Sequence, residues 1–210
     1  MKARRLIISL LILFSLVFTI SACEDDTGGQ VENGSDDTIA TTIDSELEES
    51  SSNLGKRSNP VPIGQWIEFE DTYYESLESF DAIDGKFKLR ITEVERGEEA
   101  TEQLIKENQF NQAAPEGHEW VIASLEIEML EGDEDAPYTV VPFISIVSSS
   151  GNEISQDDWA TLDGNEFGHV DLFPGGSHSG RITKYIPDGD DSLMVYEFML
   201  DSSIYFSISD

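Results

Sequence analysis

Residues 119–129 read EWVIASLEIEM, with Val121, Ala123, Leu125, Ile127 and Met129 at every second position. A period of two sends alternate side chains to opposite faces of an extended strand, so this run calls for a sheet with a buried face. KFKLRI (86–91) repeats the pattern, with Phe87, Leu89 and Ile91 on one face and Lys86, Lys88 and Arg90 on a wet one. In the longer run Trp120 and Ile122 fill the alternate positions too. Its first half is therefore expected to be covered on both faces, with Trp120 a candidate core plug.

Further strands are read at QWIEFE (65–70), weakly around 166–172, at HSGRITKYI (178–186), SLMVYEFM (192–199) and IYFSIS (204–209). FPGGS, PDGDD and LDSS separate the last of these and supply turn chemistry, so 192–209 reads as a hairpin. YTVVPFISIVS (138–148) reads as one β-branched strand whose Pro142 argues for an edge or a bulge. One segment departs from the period: GEEATEQLIKEN (97–108) sets Ala100, Leu104 and Ile105 near helical spacing behind Glu98 and Glu99, which predicts a short helix. About seven or eight antiparallel strands with one helical connection predict an all-β, immunoglobulin-like sandwich over 59–210, although no cysteine pair makes an antibody-type pattern.

The N-terminal region is of another kind. Lys2, Arg4 and Arg5 precede a fifteen-residue stretch, Leu6 to Ile20, that is apolar apart from Ser9, Ser15 and Thr19. A bilayer span needs roughly 20 apolar residues, so 1–22 reads as an export signal to be cleaved. The string Ile20-Ser21-Ala22-Cys23 resembles the lipobox of bacterial lipoproteins, and Cys23 is the only cysteine in the chain. That resemblance implies cleavage after Ala22 and a thioether-linked diacylglycerol on Cys23. A thiolate is the nucleophile such an alkylation needs, and two acyl chains anchor stably where one does not. From Glu24 to Ser58 there is no aromatic residue but ten acidic ones among many Ser, Thr, Gly and Asn. Residues 23–58 are accordingly expected to form the lipidated terminus and a disordered acidic tether, reaching about 30–35 Å as a flexible coil.

The formal charge of −31, from 43 acidic and 12 basic residues, repels polyanions and excludes nucleic acid as a natural partner. It also suits a monomer displayed in a salt- or cation-rich medium. Catalysis is not expected: no Gly-x-Ser-x-Gly elbow occurs and the three histidines sit in unlike contexts. His169, His178 and Asp171 around the Pro-Gly-Gly turn are the nearest approach to a zinc set, and are read as strand polar residues. The acid-rich turns EGDEDAP (131–137), SQDDW (155–159) and PDGDDS (187–192) match no calcium loop, and turn preference accounts for their aspartates.

RSNPVPIGQWIEF, VERGEEATEQLIKENQFNQAAPEGHEWVIASLEIEM and DLFPGGSHSGRITKYIPDGDDSLMVYEF together resemble a family of secreted bacterial lipoproteins. That family carries a domain of unknown function of the telokin-like, immunoglobulin-like group. The resemblance covers roughly 57–210 and is most specific in Arg96-Gly97-x-x-Ala100 followed by Asn108, Phe110, Asn111, Pro115, Gly117 and Trp120. It implies a small sandwich outside a cell, with no catalytic set; from the residues themselves no cofactor and no metal site is expected. Within it Asn108, Phe110 and Asn111 are expected to cap the helix and dock the following loop, and the Pro-Gly-Gly turn (174–176) to reverse the chain. The functional expectation is a protein lipid-anchored at the outer face of the cell membrane, binding or displayed to an envelope or extracellular partner, with Tyr73, Tyr74, Tyr138 or Trp159 as candidate anchors. The rival expectation is an accessory lipoprotein that binds a small ligand or calcium.

Overall fold

A computed structural model describes residues 53–75, 81–198 and 202–209. The export signal, Cys23 and the tether up to residue 52 lie outside the described residues. In chain order the elements are β1 (Ile67–Tyr74), β2 (Ala82–Arg96), α1 (Gly97–Glu107), β3 (His118–Glu131), β4 (Tyr138–Thr139), β5 (Phe143–Val147), β6 (Asp171–Leu172), β7 (Ser177–Pro187), β8 (Leu193–Glu197) and β9 (Ser203–Ser207). β1-β2-β3-β7 make a four-stranded antiparallel sheet, β5-β8-β9 a three-stranded one, and β4 and β6 a short ribbon. This is the expected antiparallel β-sandwich with one short helix, four strands against three. The nine strands, against about seven or eight expected, arise because Pro142 divides 138–148 into β4 and β5, with Phe143 N–H bonded back to the Val141 carbonyl at 3.0 Å. Proline has no N–H to give to a ladder, so pairing stops there.

The two-residue period decides which faces meet. Phe87, Leu89 and Ile91 stand opposite Met129, Ile127 and Leu125 in the β2–β3 register, and all six are buried. Ile146, Met194, Tyr196, Ile204 and Phe206 of the second sheet close the core from the other side. A register shift between Ile91 and Glu93 brings Val94 opposite Ala123, which keeps an apolar pair on the core side. Burial of each such large side chain contributes about 1.5–3 kcal/mol.

Trp120 lies in a second cluster on the outer face of the four-stranded sheet, with Ile122, Tyr185, Ala160 and the Ala100 and Leu104 of α1. Coverage of β3 on both faces is thus provided by the second sheet and by the helix. Ile105, expected on the buried stripe, is 46% exposed, lying about 100° round the helix from the buried Leu104.

The family-like string is the assembly of this outer layer. Arg96 pairs with Glu119 at 2.6 Å, Ala100 is fully buried, and the Trp120 indole donates to the Gln112 carbonyl at 2.9 Å. Asn108 closes the helix by its N–H to the Leu104 carbonyl, and its Nδ2 donates to Thr161 Oγ1 at 2.5 Å. Asn111 Nδ2 donates to the carbonyls of Leu104 and Thr161, both at 2.8 Å. Phe110 corrects the expectation of a docking role for its ring, which is 80% exposed; its N–H donates to Asn108 Oδ1 at 3.0 Å, and the two asparagines hold the loop through side-chain amides. Gly117, at φ 76°, permits the left-handed turn that leads into β3.

The fold also extends further towards the N-terminus than the expected boundary at 59. Gly55 N–H bonds to the Asn59 carbonyl at 2.9 Å, Tyr205 N–H to the Gly55 carbonyl at 2.8 Å, and Val61 N–H to the Tyr205 carbonyl at 2.8 Å. Residues 53–58, polar in composition, are therefore held by backbone bonds to the outer edge of β9, with Leu54 against the core.

Other edges are managed similarly. Ile154 N–H bonds to Ile146 alongside β5, and Phe167 and Asn165 exchange backbone bonds with Arg181 alongside β7. β7 also places Lys184 opposite Val121, on its core side, where burial holds the ammonium below the usual lysine range. An inward charge on an edge strand discourages pairing with another chain. The close cover on β7 requires glycine at 180, since a Cβ there would lie 2.6 Å from the backbone N and Cα of Phe167. Gly180→Ala is expected to cost about 1–3 kcal/mol in urea denaturation, the range of an overpacked site whose neighbour is backbone.

Candidate binding cleft

Where β1 ends, β5 begins and β8 ends, the chain encloses a cleft of about 330 Å³. Its floor is made by Tyr73 and Tyr138, both 7% exposed, which meet edge to face with centroids 5.6 Å apart. Tyr138 in turn packs on Phe87 at 4.3 Å, so the floor is continuous with the core. The rim is apolar and accessible: Tyr74 is 45% exposed, Phe143 50% and Val141 38%. Phe198, its ring tilted against that of Phe69 with centroids 4.7 Å apart, completes the wall. Alternation along β1 explains this split, since Tyr73 and Tyr74 are neighbours that must point to opposite faces.

Three carboxylates line the same space: Asp71, Glu75 and Glu197. Asp71 Oδ2 accepts from the Tyr138 hydroxyl at 3.1 Å and Oδ1 from the Thr72 N–H at 2.9 Å. Burial lifts its carboxyl above the usual range, and those two donors hold it partly down. Burial likewise pushes the Tyr138 phenol up, and the neighbouring Tyr196 phenol to about 12. Glu197 Oε1 accepts from Ser145 Oγ at 2.5 Å. The five ion pairs among the described residues join Lys86–Glu68, Lys88–Glu128, Arg90–Glu126, Arg96–Glu119 and Arg181–Glu107, so none uses a cleft carboxylate. Lys88 and Arg90 are occupied twice over, lying 4.7 and 4.3 Å from the ring centre of Trp66.

The other sequence candidates are placed apart. His178 Nε2 accepts from the Gly168 N–H at 3.2 Å and its ring lies against Phe167, while Asp171 Oδ1 accepts from Thr139 Oγ1 at 2.6 Å. Among the described residues no group of three or more His, Cys, Asp or Glu side chains is arranged to hold a metal ion. In each acid-rich turn one aspartate accepts hydrogen bonds. Asp133 Oδ1 accepts from the N–H groups of Asp135 and Ala136; Asp157 accepts from Ser155 Oγ; Asp190 accepts from Ser149 and Ser192. The Pro-Gly-Gly turn reverses the chain onto β3, with Gly175 N–H bonded to Met129 O and Met129 N–H to Gly176 O. Of the four aromatics proposed as anchors, Tyr73 and Tyr138 are cleft floor rather than display, Tyr74 is on the rim, and Trp159 stands elsewhere at 80% exposed. Cys23 lies outside the described residues, and no helix among the described residues is long and apolar enough to cross a membrane.

No protein-family model and no curated protein matches the chain. Several solved structures resemble it. Bacillus subtilis ycdA, described as a candidate lipoprotein, matches over 59% of this chain and 36% of its own, at 10% identity and a TM-score of 0.42. The chain thus spans about a third of the length of that protein. Bacillus subtilis yjhA matches over 71% of this chain and 99% of its own, at 12% identity and a TM-score of 0.46. An uncharacterized β-sandwich protein of Clostridium difficile matches over 72% and 95% at 11% identity and a TM-score of 0.37. The likeness is one of overall β-sandwich architecture.

Proposed function

We propose that this chain is an extracytoplasmic lipoprotein of the bacterial envelope, anchored by diacylglycerol on Cys23, whose acidic sandwich binds a ligand in the cleft over Tyr138. It is read as a member of the secreted lipoprotein family with a telokin-like, immunoglobulin-like domain. The observation that carries the anchoring is the string Ile20-Ser21-Ala22-Cys23 at the end of a fifteen-residue apolar run, holding the only thiol of the chain. Of the two functional expectations, the cleft favours the accessory, small-ligand one, because an apolar hollow of about 330 Å³ with a few convergent polar groups has the make-up of a ligand site. Calcium is the less favoured ligand, since among the described residues no group of three or more His, Cys, Asp or Glu side chains is arranged to hold a metal ion. The role is read as binding, with Asp71, Glu75 and Glu197 as the charged groups that line the cleft.

Cys23→Ser tests the anchor. The unaltered protein is expected to incorporate labelled palmitate and to sediment with membranes, and the variant to lose the label and leave the membrane fraction. Equal sedimentation of the two, or an unaltered protein that takes up no fatty acid, refutes the anchoring.

A further inference from the structure

The geometry points to a small organic cation as the occupant of the cleft: a substituted ammonium whose apolar shell lies against Tyr74, Tyr138, Phe143 and Phe198 and whose charge is met by Asp71, with Glu75 and Glu197 at the mouth. This rests on reading the cleft as the binding surface. Asp71 is half buried, yet both of its hydrogen-bond donors, the Tyr138 hydroxyl and the Thr72 amide, are neutral. Among the described residues its negative charge has no ion-pair partner, whereas five bases stand in ion pairs with other acids. A carboxylate held in partly apolar surroundings gains most from a cation that brings its own apolar surface. Aromatic faces attract such a cation through their quadrupoles and accept its methyl groups by burial. A bare metal ion gains little from the same walls, and among the described residues no group of three or more His, Cys, Asp or Glu side chains is arranged to hold one. The charge of −31 draws cations towards the surface and repels anionic alternatives.

Choline and its uncharged carbon isostere 3,3-dimethylbutan-1-ol have the same shape and differ in charge. Both are titrated calorimetrically into the full chain in a neutral sugar detergent, at ionic strength matched with sodium chloride. Choline is expected to bind at least tenfold more tightly than the isostere. Asp71→Asn is expected to weaken choline at least tenfold and leave the isostere unchanged, and Phe143→Ala to weaken both. Equal affinities for the two probes overturn the cation class while leaving the cleft as an apolar site. Choline binding indifferent to both variants overturns the cleft as its location, and absence of choline binding overturns the proposal outright. None of these outcomes bears on palmitate labelling at Cys23, which decides the anchor separately. Thermal unfolding checks that each variant is folded; if Asp71→Asn is not, Glu197→Gln at the exposed mouth serves instead, with about a threefold loss for choline expected and no loss refuting.

Discussion

Trp120→Ala is expected to lower the free energy of unfolding by about 3–5 kcal/mol, the usual range for deleting a buried large aromatic. The ring is 2% exposed, sits edge to face with Tyr185 at 5.7 Å, and supports Ala100 and Leu104 of α1. Its indole N–H also holds the Gln112 carbonyl, so the substitution removes both the packing under the helix and the tie to the loop that follows it. Trp120→Phe keeps much of the packing and loses the hydrogen bond, and is expected to cost about 1–2 kcal/mol. The outer cluster is separate from the inter-sheet core, so the damage has a location. Amide exchange in α1 and 108–116 should accelerate more than exchange in β8, whose Met194 and Tyr196 face the other cluster. Urea denaturation giving a loss below about 1 kcal/mol, or exchange that rises equally everywhere, contradicts this account.

The same residue marks how far the fold was legible. Trp120 and Ile122 on the polar side of an alternating strand announced a second covered face, and the helix-period segment following β2 supplied what covers it. The strand character of β2 and β3, the β8–β9 hairpin and the extent of α1 all follow from side-chain period and turn chemistry, which are local properties of the chain. The segment 53–58 was not legible, because its order comes from backbone bonds to β9, about 150 residues away, and backbone groups carry no sequence signal. Pro142 gave its own warning, but whether it bends a strand or divides it depends on what the neighbouring chain can pair with.

The cleft was less visible still. Tyr73, Tyr74 and Tyr138 drew attention as aromatics, but Asp71 on β1, Phe143 on β5 and Phe198 just after β8 did not, since only the sandwich brings them together. Alternation along β1 could have shown that Tyr73 and Tyr74 cannot share a face. Nothing local could have shown that Asp71 points at Tyr138, 67 residues on. The acid-rich turns had the opposite character: conspicuous in sequence, each has one aspartate, Asp133, Asp157 or Asp190, that accepts hydrogen bonds from within a few residues or from an adjacent turn.

The second large effect is expected at Glu107, which gathers α1, β7 and the loop before Phe167 at one carboxylate. Its oxygens accept from Arg181 Nη1 at 2.7 Å and Nη2 at 3.1 Å, from Asp163 N–H at 2.9 Å and from Gln103 Nε2 at 3.2 Å. The Arg181 hydrogen bonds above all, helped by the Asp163 amide and Gln103, hold the carboxyl down to about 2, against the opposing effect of burial. The side chains are 17% and 19% exposed, so the pair is screened less than a surface ion pair. A folded-state value below the unfolded one means stability that is complete above about pH 4.5 and is lost as pH falls towards 2. Glu107→Gln is expected to cost about 2–3 kcal/mol at pH 7, and the gap to the unaltered protein to shrink to about 1 kcal/mol at pH 3. Glu95 limits the loss: its Oε2 is buried with no hydrogen-bond partner among the described residues, and burial and neighbouring glutamates hold its carboxyl above the usual range. Freed from Glu107, Arg181 has that group as its next acceptor, and the Glu95→Gln, Glu107→Gln double variant should therefore lose more than the sum of the single losses. Paired urea titrations of the four proteins at pH 7 and pH 3 read both effects, and a gap that is constant between the two pH values would show that the Glu107 charge contributes nothing.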